Sequence, residues 1–212
     1  ASALLAVVAP SVRAGHDAAF TKPLFIPPVL SGQTIALTAQ EADVQILDGN
    51  PTRMWTFNGT FPGPTIRAQT GQTTQVTVAN SLPLSADAGS LTLHNHGNHS
   101  TPENDGQPDS FLIAPGQSRT YTYSGTEDGG NERGAIQWYH DHRMNFTGRN
   151  VWMGLAGMYI IDDPADPSTL PAGAFDVPLI LADRSFDSQN QLSYNFASTG
   201  LTGDHILVNG VP

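Results

Sequence analysis

The chain contains no cysteine. That excludes disulfides, zinc–thiolate sites and a cysteine nucleophile among these residues. Charge is scarce as well. Charged residues make up 13% of the sequence, with 9 Lys or Arg against 19 Asp or Glu and a formal net charge of −10. No basic stripe is present, so non-specific binding to nucleic acid or attachment to anionic lipid is not expected. The apolar stretch near the start, Leu4 to Ala9, is too short to span a bilayer. There is no internal repeat and no amphipathic helix of useful length.

Turn residues, by contrast, are abundant. The 212 residues include 21 Gly and 16 Pro, which suits a turn-rich all-β protein better than a helical one. The length is ample for a sizeable core and allows one or two domains. The chain starts at Ala1, and Val12-Arg13-Ala14 resembles a small-residue cleavage site. Residues 1–14 therefore read as the tail of a secretory signal, which implies a secreted, periplasmic or cell-envelope location. Ile206-Leu207-Val208 reads as a strand with no later strand to pair with before Pro212, so a piece of a longer protein is expected.

From Gly15 to about Pro28 the sequence is irregular, kept extended by Pro23, Pro27 and Pro28. Gln33 to Leu47 and Arg53 to Phe57 read as strands. A turn cluster, Asn58 to Pro64, follows. Thr65–Ala68 and Gln75–Asn80 flank Gly71 as a strand–turn–strand unit. Thr120–Tyr123 is a further strand, and Gly125–Gly134 an acidic, glycine-rich loop. Arg143–Asn150 is a polar connector with one helical turn, and Gly154–Ile161 a buried strand. A linker spans 165–175, separating a first domain (15–164) from the opening strands of a second (176–212). Strands at such short, turn-punctuated intervals argue a β-sandwich or barrel.

The chemistry concentrates in two short stretches, His94-Asn95-His96-Gly97 and Trp138-Tyr139-His140-Asp141-His142. Each His-x-His ends a run that reads as a strand. Side chains two apart on a strand share a face, so His94 pairs with His96, and His140 with His142. Leu91, Leu93, Tyr139 and Asp141 take the opposite parity. If the two strands lie side by side, four imidazoles converge on one volume. Neutral imidazole is the commonest side-chain metal ligand and suits copper, zinc, iron and nickel. One such triplet is weak, since such pairs are more often polar side chains facing solvent or lying beside a ligand. Two of them, both ending apolar strands and holding four of the seven histidines, point to a metal site.

The same residues carry a resemblance. Asn58-Gly59 with Phe61-Pro62-Gly63-Pro64-Thr65-Ile66, the two histidine stretches, and Gly154-Leu155-Ala156-Gly157 resemble the first cupredoxin domain of multicopper oxidases. The likeness is to the branch of bacterial laccases, spore-coat laccases and bilirubin-oxidase-like enzymes. Asp176-Val177-Pro178-Leu179 and Ile206 to Gly210 look like the opening of that family's second cupredoxin domain. The resemblance implies an all-β, cupredoxin-like Greek-key β-sandwich plus the first strands of a second. It also implies a copper-dependent oxidase that takes electrons singly from a small reducing substrate, such as a phenol, and reduces O2 to water. In that family a trinuclear centre of one type 2 and two type 3 coppers takes eight histidines. By resemblance His94 is a type 2 ligand, His96 and His140 bind one type 3 copper, and His142 binds the other. The other four ligands and the whole type 1 site, with its cysteine, belong to a C-terminal domain outside these residues. This part alone is therefore expected to be inactive. Phenols, bilirubin-like pigments, aminophenols and metal ions are not separated as substrates by these residues. Asp105, in the loop after the first pair, falls where related oxidases carry an acidic residue facing the trinuclear site.

Two other classes stay open. A cupin-type mononuclear enzyme also uses His-x-His, but its Glu follows within a few residues, and Glu103 lies too far on. A non-catalytic cupredoxin-like structural protein would be expected to lose copper ligands, and all four are kept. The remaining residues have plainer readings. His99 has the wrong parity for its neighbouring pair and reads as a surface residue or one beside the ligands. His16 and His205 read as solvated, and Trp138 and Trp152 as core. Asn58, Asn98 and Asn145 open N-x-Ser/Thr matches of a kind that arises by chance.

Overall fold

A computed structural model describes residues 22–84, 89–166, 170–196 and 200–212. The expected signal segment and His16 lie outside the described residues. The elements run β1 Val29–Ser31, β2 Thr34–Val44, β3 Thr52–Phe57, β4 Gly63–Gln69, β5 Thr74–Asn80, β6 Leu93–His96 and β7 Ser118–Tyr123. They continue with β8 Thr126–Glu127, β9 Gly130–Asn131, β10 Ala135–Asp141, α1 Thr147–Met153, β11 Ala156–Asp162, β12 Leu181–Arg184 and β13 His205–Val208. A single 3-10 turn, Gly173–Phe175, falls in the expected linker.

Two mixed sheets make the sandwich, with strand orders β1-β4-β11-β10-β6 and β3-β2-β5-β7. The architecture is the cupredoxin-like Greek-key β-sandwich. Alternation explains the second sheet. Ile35, Leu37 and Ala39 of β2 and Val76 and Val78 of β5 are buried, while Thr34, Ala36 and Gln75 between them are exposed. Their inward faces meet Ile66, Leu93, Tyr139, Tyr159 and Ile161 from the first sheet in one core. Central strand β11 is buried on both faces from Gly157 to Ile161. Gly157 lies under the Tyr139 ring, where a Cβ would sit 2.3 Å from Cζ. The Tyr139 hydroxyl donates to the Pro64 carbonyl at 2.6 Å.

The unit read as Thr65–Asn80 is not a hairpin. Strand β4 lies in one sheet and β5 in the other, and the Gly71 turn carries the chain between layers. Its N–H donates to the Gly125 carbonyl at 2.8 Å. Adjacency in sequence cannot distinguish a hairpin from such an arch, because both need the same turn residues. The glycine-rich loop at 125–134 holds a small hairpin, β8 paired with β9. The polar connector becomes α1, two turns placed later than the one expected. Strand β13 does find a partner, the earlier strand β12. Leu207 of β13 packs with Met54 of β3 and with Ile46 and Phe61. Asn58 is spent on the backbone: it accepts from the Thr38 N–H at 2.6 Å and donates to the Ala36 carbonyl at 3.2 Å.

Candidate metal centre

Strands β6 and β10 are antiparallel neighbours, with His94 opposite His140 and His96 opposite Trp138. The register puts the even-numbered side chains of both strands on one face at the end of the first sheet. Ligand atoms of His94, His96 and His140 fall within 4.8 Å of one another, a group able to hold a metal ion. His142 lies just past the end of β10, and its ring centroid is 4.8 Å from that of His94. All four expected histidines are thus brought together.

Three of the rings are tethered through Nδ1 to main-chain carbonyls. His94 Nδ1 donates to Asp105 O at 2.5 Å, His140 Nδ1 to Asp141 O at 2.8 Å, and His142 Nδ1 to Gly106 O at 3.3 Å. A proton held on Nδ1 leaves Nε2 with a bare lone pair, the form that ligates metal. His140 is only 3% exposed, and its Nε2 is buried with no hydrogen-bond partner. An unsatisfied buried acceptor costs roughly 1–3 kcal/mol, so a group is wanted opposite it. Burial pulls His140 down to about 4, with smaller contributions from His94, His142 and His96, against a hydrogen bond to Asp141 that raises it. The ring is therefore neutral at ordinary pH, ready to bind a cation.

The loop after β6 does the tethering, and Gly106 makes it possible. Its φ is +71°, and a Cβ there would sit 2.1 Å from the Leu93 carbonyl oxygen. Only glycine lets this loop come so close to β6, bringing two successive carbonyls against His94 and His142. The Asp105 carboxylate also lies beside the His94 ring, with Oδ1 3.3 Å from Nδ1. Gln107 donates to Asp105 Oδ2 at 3.2 Å.

Two residues differ from the sequence reading or were overlooked by it. Trp138 is not core: it is 39% exposed and stacks on His140 with centroids 4.0 Å apart and on His96 at 5.6 Å. Parity already signalled this, since Trp138 shares the face of His140. Trp152 is buried as expected. Asp141, between two of the histidines, is fully buried and is a hub. Its carboxylate accepts from the Thr92 N–H at 2.9 Å, the Asn150 side chain at 2.8 Å and the Arg143 N–H at 3.3 Å. It thereby joins β6, β10 and α1 behind the histidines. Burial raises its pKa, and these three donors oppose the rise. The clue was a carboxylate on the core-facing parity, which must be partnered to be buried.

A second group able to hold a metal ion is His99, Glu127 and Glu132. His99 is exposed, in keeping with its surface reading, while Glu132 is buried. His99 Nδ1 lies 2.8 Å from Glu132 Oε1 and 3.9 Å from Glu127 Oε2. Glu132 raises the pKa of His99, first by hydrogen bond and then by charge.

Residues 38–166 match the sequence model of a family described as multicopper oxidase. The chain belongs to the multicopper oxidase family. This multicopper oxidase chain is 32% identical over 213 residues to a laccase of Bacillus subtilis, covering 82% of the chain and 40% of the relative. It superposes on a multi-copper oxidase from Pediococcus acidilactici with a TM-score of 0.77 and 36% identity, covering 90% of the chain and 40% of that structure. It is also 30% identical over 205 residues to the cell division protein FtsP of Escherichia coli, covering 90% of the chain and 40% of that protein. The chain thus spans about 40% of the length of these relatives. Imidazole nitrogens admit copper, zinc, iron and nickel alike, and membership of a multicopper oxidase family favours copper. Among the described residues, no helix is long and apolar enough to cross a membrane.

Proposed function

We propose that this chain supplies half the histidine ligands of a trinuclear copper centre in a laccase-like oxidase. The whole protein couples one-electron oxidation of a phenolic or related small substrate to four-electron reduction of O2 to water. His94 serves the type 2 copper, His96 and His140 one type 3 copper, and His142 the other. The remaining ligands and a type 1 copper belong to C-terminal cupredoxin domains. Residues 15–164 form the first domain, and 176–212 open the second across a linker at 165–175. The protein works outside the cytoplasm, in the envelope or the medium.

The observation that carries this reading is the buried, unpartnered Nε2 of His140 within a set of rings held by carbonyls on their other nitrogen. Copper held there would supply the electron-transfer chemistry for reduction of O2. The chain's own residues tether three rings through Nδ1 and keep His140 neutral and out of water. The Asp105 carboxylate stands beside His94. Reduction of O2 consumes protons as well as electrons, and a carboxylate at the edge of the centre relays them. Metal analysis of the full-length protein tests the proposal. Several coppers per chain, lowered but not abolished by His94→Ala or His140→Ala, support it.

The relative named for cell division keeps a second reading in view, a cupredoxin-like protein that assembles rather than oxidises. That reading needs no metal ligands. It gains if the purified full-length protein takes up no copper and consumes no O2 with any phenolic donor.

A further inference from the structure

The hairpin β8–β9 and the loop after β6 meet at His99, Glu127 and Glu132, whose ligating atoms lie within 4.8 Å of one another. Glu132 is only 4% exposed. One of its oxygens takes the His99 proton at 2.8 Å. The other, Oε2, is buried and has no hydrogen-bond partner. A carboxylate desolvated to this degree ordinarily has every oxygen answered by a donor or a cation. Within the cluster the negative charge is in excess. Asp128 acts on His99 alongside Glu127 and Glu132. The cation facing them is Arg133, bound to Glu127 at 2.8 and 3.1 Å. Its side chain is 81% exposed, so it is free to swing aside.

We propose that His99, Glu127 and Glu132 form a second cation site, distinct from the histidine centre, that takes one divalent transition ion of the zinc or manganese class. One imidazole and two carboxylates are a mixed nitrogen–oxygen set. Imidazole favours zinc over calcium or magnesium, and carboxylates admit manganese. The ion takes the place of the proton between His99 Nδ1 and Glu132, and that proton passes to solvent. Glu132 Oε2 gains its missing partner, and water completes the coordination on the exposed side. Binding joins the β8–β9 hairpin to the segment immediately after the first histidine pair. His99 is three residues beyond His96, and that segment is already held by Gln137, which donates to the Gly97 carbonyl at 2.9 Å.

The test uses the copper-loaded full-length protein, dialysed against zinc(II) alone and, separately, manganese(II) alone. Zinc, manganese and copper are then counted by elemental mass spectrometry. The expected result is about one added zinc or manganese per chain at unchanged copper content. Amide exchange across residues 125–134 should slow on loading. Glu132→Gln should abolish uptake. His99→Ala and Glu127→Gln, both altered at better-exposed positions, should each weaken it at least tenfold while copper stays constant. Uptake that is absent from the wild type, or equal in wild type and in His99→Ala and Glu127→Gln, overturns the proposal. Because copper is counted separately, its absence would instead count against the trinuclear reading.

Discussion

The two clusters, one on paired strands β6 and β10 and the other on the loop after β6 and the β8–β9 hairpin, treat a histidine ring in opposite ways. In the centre formed by β6 and β10, Nδ1 of three rings points at main-chain carbonyls. A carbonyl fixes the tautomer without adding a full charge, and burial then holds His140 neutral. At His99 the partner is a carboxylate, which raises the pKa of the ring and favours its protonated form. The same side chain is thus a bare metal donor in one place and an ion-pair partner in the other. What decides is the atom on its far nitrogen.

Removing a ring from the first cluster is the sharpest way to break this contrast. His140→Ala in the full-length protein should deplete the trinuclear centre and abolish O2 uptake. The blue absorption of the type 1 copper should survive, because that metal is held elsewhere. Loss of the blue band from a folded protein would count against the assignment.

Displacing the carbonyls comes next. Gly106→Ala forces a Cβ onto the Leu93 carbonyl at positive φ, so the loop must retreat from His94 and His142. We expect a stability loss of about 1–3 kcal/mol together with weaker copper retention. Denaturant titration and copper analysis of the same sample check both. Wild-type values for the two would show that the loop does not orient the rings.

A smaller effect is expected at Asp105, which touches the centre from the side. Asp105→Asn keeps the shape and removes the titrating group. Turnover should fall roughly tenfold or more, the low side of general-acid help, with copper content and blue band nearly unchanged and the pH optimum displaced. Normal turnover across the pH range would make Asp105 only a loop residue that positions His94.

The smallest effect concerns the copper-free protein. His140 titrates near 4 when folded, below its ordinary 6.5. Between those values the unfolded chain takes up a proton that the folded chain refuses. The contribution of this group to stability is therefore complete above 6.5 and drains away as pH falls toward 4. His140→Gln should flatten that part of the stability-against-pH curve. An unchanged slope would assign the acid sensitivity to other groups.

These residues also show what a sequence can reveal. The shared face of His94, His96 and His140 was legible because a strand has a period of two, whereas Asp105 was singled out only through the family resemblance. Turn spacing argued a sandwich or a barrel, and the family resemblance implied the sandwich. Sheet membership did not: β4 and β5 flank one turn yet join different layers, and nothing local distinguishes that arch from a hairpin. The meeting of His99 with Glu132, 33 residues apart, depends on how the β8–β9 hairpin folds back. Asp141 is intermediate. Its parity placed it in the core, but its donors on Thr92 and Asn150 come from other elements.

The central claim is that the bare nitrogens of the four histidines face copper. Crystals of the copper-loaded full-length protein, with diffraction collected at the copper absorption edge, test it directly. Anomalous peaks are expected within bonding distance, about 2.0–2.1 Å for a metal–imidazole bond, of nitrogens on His94, His96, His140 and His142, one of them at Nε2 of His140. A fully loaded crystal with no peak at His140, or with its Nε2 bonded to a protein donor instead, would contradict it.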